Sequence, residues 1–231
     1  MKPFGLWLKR MILGLLGLLL FYQFWLFGWV VWWRGSNPDT TRFMEIRLGE
    51  LQVKDTKAQL KKQWVSYERI SPHLKRAIIA SEDAKFVDHE GFDWAGIQKA
   101  IEKNQKKGRV VAGGSTISQQ LAKNLFLTPS KTPWRKAEEA VITLMLEMLW
   151  SKQRIFEVYL NVIEWGNGVF GAEAAARHHF GISAAQLSPE QAARLAGMVP
   201  NPRFYDRNRN APGLSRKTAV ILQRMPSAEL P

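Results

Sequence analysis

A chain of 231 residues with 46% apolar content can bury the core of one sizeable domain. Its formal charge of +13 suits a partner that carries negative charge, whether nucleic acid, an anionic membrane surface or a pyrophosphate-linked substrate. The absence of cysteine excludes disulfide frameworks, thiolate metal sites and cysteine nucleophiles, and leaves the redox compartment open.

Residues 1–10 read as a cytoplasmic N-terminus and residues 11–33, which carry no charge, as a transmembrane helix. A cleaved signal peptide competes with this reading, but its apolar region would be shorter and would end in small residues, whereas this one ends in Trp29, Trp32 and Trp33. Those tryptophans suit an interfacial belt. Lys2, Lys9 and Arg10 precede the span and favour a catalytic domain on the outer face of the membrane, although Arg34 and Arg42 pull the other way. Residues 34–42 include the turn-rich stretch Gly35 to Thr41 and form a linker. Beyond it, 43–225 is expected to be the catalytic domain and 226–231 a short tail.

Within the domain, helix signals dominate. Ser71-Pro72 opens an apolar-periodic run through Leu74, Ala77, Ile78 and Ser81, with serine as cap and proline at the first helical position. Thr132-Pro133 and Ser188-Pro189 repeat that device. Asp93 can cap a helix ending at Gly108, and Ser115 or Thr116 another through Ile117, Leu121 and Leu125. Further helices are expected at about 152–164, 170–180 and 214–225. No clear run of period-two strands is present, but a short hairpin between 42 and 70 is compatible with the pattern. The expected fold class is mainly α.

Three polar clusters are candidates for chemistry. In Glu82 to Asp93, Glu82 falls one turn beyond Ile78, so its carboxylate would emerge from an apolar face, where burial raises a carboxyl pKa and suits acid–base work. A solvated acidic helix end with His89 as hydrogen-bonding partner explains the same residues. In Gly113 to Asn124, a helix start rich in glycine and hydroxyls could offer backbone N–H groups to an anion, and Thr116, Gln120 and Lys123 form one stripe. An ordinary capped surface helix is the alternative. In Arg135 to Glu139, an i,i+4 ion pair would by itself account for the charges.

Taken in order, these segments resemble the family 51 glycosyltransferases, the peptidoglycan polymerases found in class A penicillin-binding proteins and as free-standing monofunctional enzymes. The resemblance rests on Glu-Asp-x-x-Phe-x-x-His-x-Gly at Glu82 to Gly91 and Gly-x-Ser-Thr-Ile-x-Gln-Gln-Leu-x-Lys-Asn at Gly113 to Asn124. Arg-Lys-x-x-Glu at Arg135 to Glu139 and Ile-x-Glu-x-Tyr-Leu-Asn at Ile155 to Asn161 complete it. His178-His179-Phe180-Gly181 departs from the family's tyrosine-containing ending of that helix. The resemblance implies a lysozyme-like α-helical lobe beside a small apolar jaw that dips into the bilayer. It implies Glu82 as the base that deprotonates the 4-hydroxyl of lipid II, and Glu139 as a second essential carboxylate that organises cations. Lys123, Arg135 and Lys136 would face the pyrophosphate leaving group, while Asp83, Phe86, His89, Thr116, Gln120 and Asn124 would shape or line the cleft. Glu157 and Asn161 would be structural.

The implied substrates are lipid II and the growing glycan chain, in contact with membrane lipids of the bacterial inner membrane, with the domain on the periplasmic face. No Ser-x-x-Lys occurs, so cross-linking would fall to penicillin-binding transpeptidases as partners. No metal-ligand motif is evident, and any Mg²⁺ would be held by the substrate pyrophosphate. A lysozyme-like lytic enzyme is the nearest rival, although cleavage of a neutral glycosidic bond has no need of the basic set. A nucleic-acid-binding module is disfavoured because the basic residues alternate with carboxylates and no readout element is present.

Overall fold

The computed structural model describes residues 2–109 and 113–231, with side chains from residue 5 onward. It divides into two compact units, Met1–Pro38 and Asp39–Pro231. The first unit is helix α1 (Lys2–Gly35), of which Gly5–Gly35 is long and apolar enough to cross a membrane. Its aromatic rings follow one another along the helix, with Tyr22 against Trp25, Trp25 against Trp29 and Trp29 against Trp33.

The second unit is mainly helical, as expected, and its helices begin where the sequence supplies caps. Ser71 opens α3 (Pro72–Glu82), Asp93 opens α4 (Trp94–Lys107) and Thr132 opens α6 (Pro133–Leu149). Ser151 opens α7 (Lys152–Val162) and Ser188 opens α9 (Pro189–Met198). In each case the side-chain oxygen accepts a backbone N–H that the first turn leaves without an intrahelical partner. Thr116, rather than Ser115, caps α5 (Ile117–Phe126), with Gln119 closing a reciprocal capping box. Two further helices, α8 (Ala172–Phe180) and α11 (Pro212–Arg224), lie where periodicity placed them.

The stretch 42–70 does not form a hairpin. Arg42–Gln52 is a helix, α2, capped by Thr41, whose hydroxyl accepts from Met44 N at 3.2 Å. The strand β1 (Lys61–Lys62) pairs in parallel with β3 (Val169–Phe170), and β2 (Glu164–Gly166) pairs antiparallel on the far side of β3. A two-residue strand whose partner lies so far along the chain leaves no local signal. The six-residue helix α10 (Pro202–Arg207) also had none, being too short for periodicity.

The core is built around α7. Ile155, Phe156, Val158, Tyr159 and Leu160 are fully buried, so this helix is apolar on nearly every side and can only be central. Around it, α5 packs on α6 and α7, while α9 packs on α3 and α11. Asn161, at the end of α7, holds the incoming chain: its side chain accepts from Val65 N and donates to Val65 O, each at 3.0 Å. Glu157 accepts from Tyr67 N at 3.1 Å. Both are structural, as the resemblance implied. Gly171 turns the chain into α8 at φ +84°, and a Cβ there would stand 2.8 Å from the carbonyl oxygen of Asn161. The last residues pack on the same unit: Tyr67 Oη donates to Pro231 O at 3.2 Å and Arg76 to Ala228 O at 2.9 Å.

Candidate active site

Glu82 is the last residue of α3, and its position is fixed by its neighbour. The buried Asp83 carboxylate accepts Ile117 N at 3.0 Å and the His89 Nε2 proton at 3.0 and 3.1 Å, which ties the loop after α3 to the start of α5. Thr116 Oγ1 donates to Gly91 O at 2.7 Å and completes the tie. Gly91 is required here, since at φ +84° its Cβ would meet Thr143 Cγ2 at 2.8 Å.

With the loop held this way, Gln120 on α5 reaches Glu82: its Nε2 donates to Oε2 at 3.0 Å. The fully buried Tyr159 donates its hydroxyl to Gln120 Oε1 at 3.0 Å, which leaves the amide nitrogen for the carboxylate. Burial pushes the Glu82 carboxyl above its ordinary range, while Gln120, Lys217, Ser81 and Lys123 oppose that rise. Burial also raises Tyr159 well above its usual value, with the charges of Glu82 and Asp83 adding to the effect. The apolar-face reading of Glu82 therefore holds over the solvated helix end.

One turn further along α5, Lys123 looks toward the third cluster. Burial lowers its pKa, the Glu139 carboxylate pulls it back up, and Arg135 and Lys136 push it down again. Glu139 is almost wholly buried and forms ion pairs with both Arg135 and Lys136. Arg135 is itself mostly buried, so this is not the exposed i,i+4 pair that spacing alone would suggest. Arg135 Nε is buried and has no hydrogen-bond partner among the described residues. Lys136 also reaches Ser115 Oγ at 3.4 Å. Glu82, Gln120, Lys123, Arg135, Lys136 and Glu139 thus form one electrostatic neighbourhood.

Among the described residues, cavities open beside this neighbourhood on several sides. One, lined by Glu82, Asp93, Lys99 and Gly113 to Thr116, lies beside the loop before α5. A second, more apolar, runs from Glu82 between α9 and α11 past Arg216, Lys217 and Val220. A third, polar, is lined by Phe43, Arg47, Gln120, Lys123, Asn124 and Arg203.

At the start of α5, Thr116, Ile117 and Gln119 already donate their N–H groups to Gln119 Oε1, Asp83 and Thr116 Oγ1, while Gly113 to Thr116 line the first cavity. The anion this helix end holds is the protein's own Asp83. Phe86 is fully buried against Phe156 and His89, with Lys152 Nζ 4.7 Å from its ring centre, so of the two expected roles it shapes the wall from behind. Asp83 lines the first cavity beside Glu82, and His89 holds it from behind through Nε2. Asn124 Nδ2 is turned back onto Gln120 O at 2.7 Å. Tyr159 and Lys217 were missed: the first looked like an ordinary aromatic core position, and the second lies far along the chain on α11. His178, His179 and Asp206 also come together, a grouping that no sequence motif announces. His178 and Asp206 are 28 positions apart and no spacing motif links them.

A sequence model described as "Transglycosylase" matches residues 49–226, most of the chain. The chain belongs to the transglycosylase family. It is 76% identical over 231 residues to a biosynthetic peptidoglycan transglycosylase of Dechloromonas aromatica, covering all of both chains. A protein of the same name from Nitrosospira multiformis is 64% identical over 228 residues, 99% of each chain. Another from Chromobacterium violaceum is 61% identical over 224 residues, 97% of this chain and 98% of that one. Those names describe synthesis of peptidoglycan, and the lytic alternative is not favoured.

Proposed function

We propose that this transglycosylase polymerises lipid II into β-1,4-linked glycan strands with release of undecaprenyl pyrophosphate, using Glu82 as general base. The observation that carries the reading is the juxtaposition on α5: Gln120 holds a shielded carboxylate, and Lys123 one turn on belongs to a cluster of three cations around Glu139. Polymerisation needs both halves.

Glu82 takes the proton of the acceptor's 4-hydroxyl as that oxygen attacks the anomeric carbon of the growing chain. The C–O bond to the pyrophosphate breaks as the new bond forms, so the α-linked donor becomes a β-linked product in one displacement. The raised pKa of Glu82 brings its basicity closer to the working pH, where a general base is most effective. Negative charge grows on the departing pyrophosphate, and Lys123, Arg135 and Lys136 are already in place to meet it. Glu139 keeps the three cations together before substrate arrives. Since both its oxygens are paired with Arg135 and Lys136, a Mg²⁺ would be held through the pyrophosphate.

Membrane placement follows the same reading. The α1 helix anchors the chain, and Lys2, Lys9 and Arg10 ahead of its apolar run put the catalytic domain on the periplasmic face of the inner membrane. Trp94 and Ile101 of α4 and Trp134, Leu144 and Met148 of α6 are exposed, which suits an apolar jaw resting in the bilayer. Cross-links between strands are left to penicillin-binding transpeptidases. Glu82→Gln tests the base: with lipid II as substrate, polymer formation is expected to fall at least about a hundredfold, as loss of a general base typically costs 10²- to 10⁴-fold. Retention of more than about a hundredth of the rate would refute the assignment.

A further inference from the structure

Away from the cleft residues, the end of α8, the turn after β2 and α10 bring His178, His179 and Asp206 together, with one candidate ligand atom from each within 4.8 Å of the others. We propose that these residues form a binding site for a borderline divalent cation of the Zn²⁺ class. Two imidazole nitrogens and a carboxylate oxygen, with water as the fourth ligand, match the donor set and coordination number that Zn²⁺ accepts.

Each ligand is oriented by a contact of its own. His179 Nε2 lies 2.9 Å from the carbonyl oxygen of Trp165, which can only accept, so the proton sits on Nε2 and Nδ1 keeps its lone pair. Donation of the second ring N–H to a backbone carbonyl is the support that metal-bound histidines ordinarily have. Asp206 Oδ2 accepts Asn167 N at 3.0 Å, and its approach depends on Gly166, where a Cβ would stand 2.9 Å from that oxygen. Asp206 Oδ1 points at His178 Nε2 across 2.9 Å. All three residues are half-buried, so an ion can reach them from solvent.

Arg209 now supplies the positive charge that an ion would bring: a guanidinium nitrogen lies 3.2 Å from Asp206 Oδ1 and 3.4 Å from His178 Nε2. Its side chain is exposed and free to swing outward. Lys61 Nζ stands 3.5 Å from His178 Nδ1, also at the surface. Binding exchanges these mobile cations for one ion, with the His178 ring proton on Nδ1 so that the Nε2 lone pair faces the metal. The consequence reaches the cleft, because α10 carries both Asp206 and Arg203, and Arg203 lines the polar groove with Gln120 and Lys123. An ion fastening α8 to α10 would brace that wall.

The test uses the full chain in detergent without a polyhistidine tag. Calorimetric titration with Zn²⁺ is expected to saturate at one ion per chain, and Co²⁺ to give the visible absorption of a tetrahedral site. His178→Ala and Asp206→Asn should each weaken binding at least about tenfold, and Arg209→Ala should tighten it by removing the competing cation. Asparagine at 206 can still accept Asn167 N, so that variant keeps the turn while losing the charge. No saturable binding up to about millimolar Zn²⁺, or equal affinity in the His178 and Asp206 variants, would overturn the proposal. If His178→Ala does not fold, Asp206→Asn and Arg209→Ala decide, and unchanged affinity in both rejects the site.

Discussion

Replacing Glu139 by glutamine removes one negative charge from the middle of three cations and leaves the shape of the side chain. The Glu139 side chain is 4% exposed and that of Arg135 14%, whereas Lys136 is 47% exposed and contributes little to stability through its own pair. Breaking a buried pair by removing one partner costs roughly 3–5 kcal/mol; the amide still accepts a hydrogen bond and Arg135 keeps some water, so the lower end, about 3 kcal/mol, is expected. At roughly 2–4 °C per kcal/mol for a domain of this size, the melting point should fall by about 6–12 °C. Turnover should fall further than stability explains. Glu139 is the strongest influence holding the Lys123 pKa up, so its loss moves that pKa lower still. Lys123 is then protonated only at lower pH, and the defect should deepen as pH rises. Loss of a preorganised charge commonly costs on the order of 10²- to 10³-fold in rate. Initial rates on lipid II between pH 6 and 9, beside thermal melts in the same detergent, separate the effects. A near-normal rate with a stability loss of only about 0.3–0.5 kcal/mol, the worth of an exposed i,i+4 pair, would refute the organising role.

Other perturbations follow from the same geometry. Lys217→Ala withdraws a cation that opposes the raised Glu82 pKa, so the acidic limb of the kcat/KM profile should move to higher pH, with most activity recovered on the alkaline side; an unmoved limb would separate Lys217 from the base. Because the Glu82 carboxyl is raised, the folded state binds its proton more tightly than the unfolded chain; the stability this contributes is present below the ordinary carboxylate range and lost as pH rises through the folded value. Glu82→Gln should therefore melt higher than the parent at neutral pH and match it in acid, and a lower melting point at pH 7 would contradict the burial argument. Removal of Met1–Pro38 leaves every site residue in place, so the remaining domain should fold and polymerise lipid II yet still float with phospholipid vesicles through Trp94, Trp134 and Met148. A domain recovered wholly in the aqueous phase would leave the apolar jaw without support.

The sequence by itself determined the features written in local chemistry. The charge-free run of α1, the caps at Ser71, Asp93, Thr116, Thr132 and Ser188, and the four ordered motifs were all legible because helix starts and short motifs depend on residues a few positions apart. Where partners lie far apart in the chain, the sequence was silent or misleading. Helix α2 was passed over in favour of a hairpin, and β1 finds its partner in β3 only after α3 to α7 have intervened. The roles of the site residues divided along the same line. Spacing could put Glu82 on an apolar face and Arg135 within reach of Glu139, but it could not distinguish a solvated helix end from a shielded carboxylate, or an exposed ion pair from a buried one. That distinction depends on desolvation, which is a property of everything packed around a group and not of its neighbours in sequence. The tertiary structure decided it by laying α5 across α6 and α7, so that Tyr159 orients Gln120 toward Glu82, Asp83 accepts Ile117 N at the start of α5, and Phe86 is buried against Phe156.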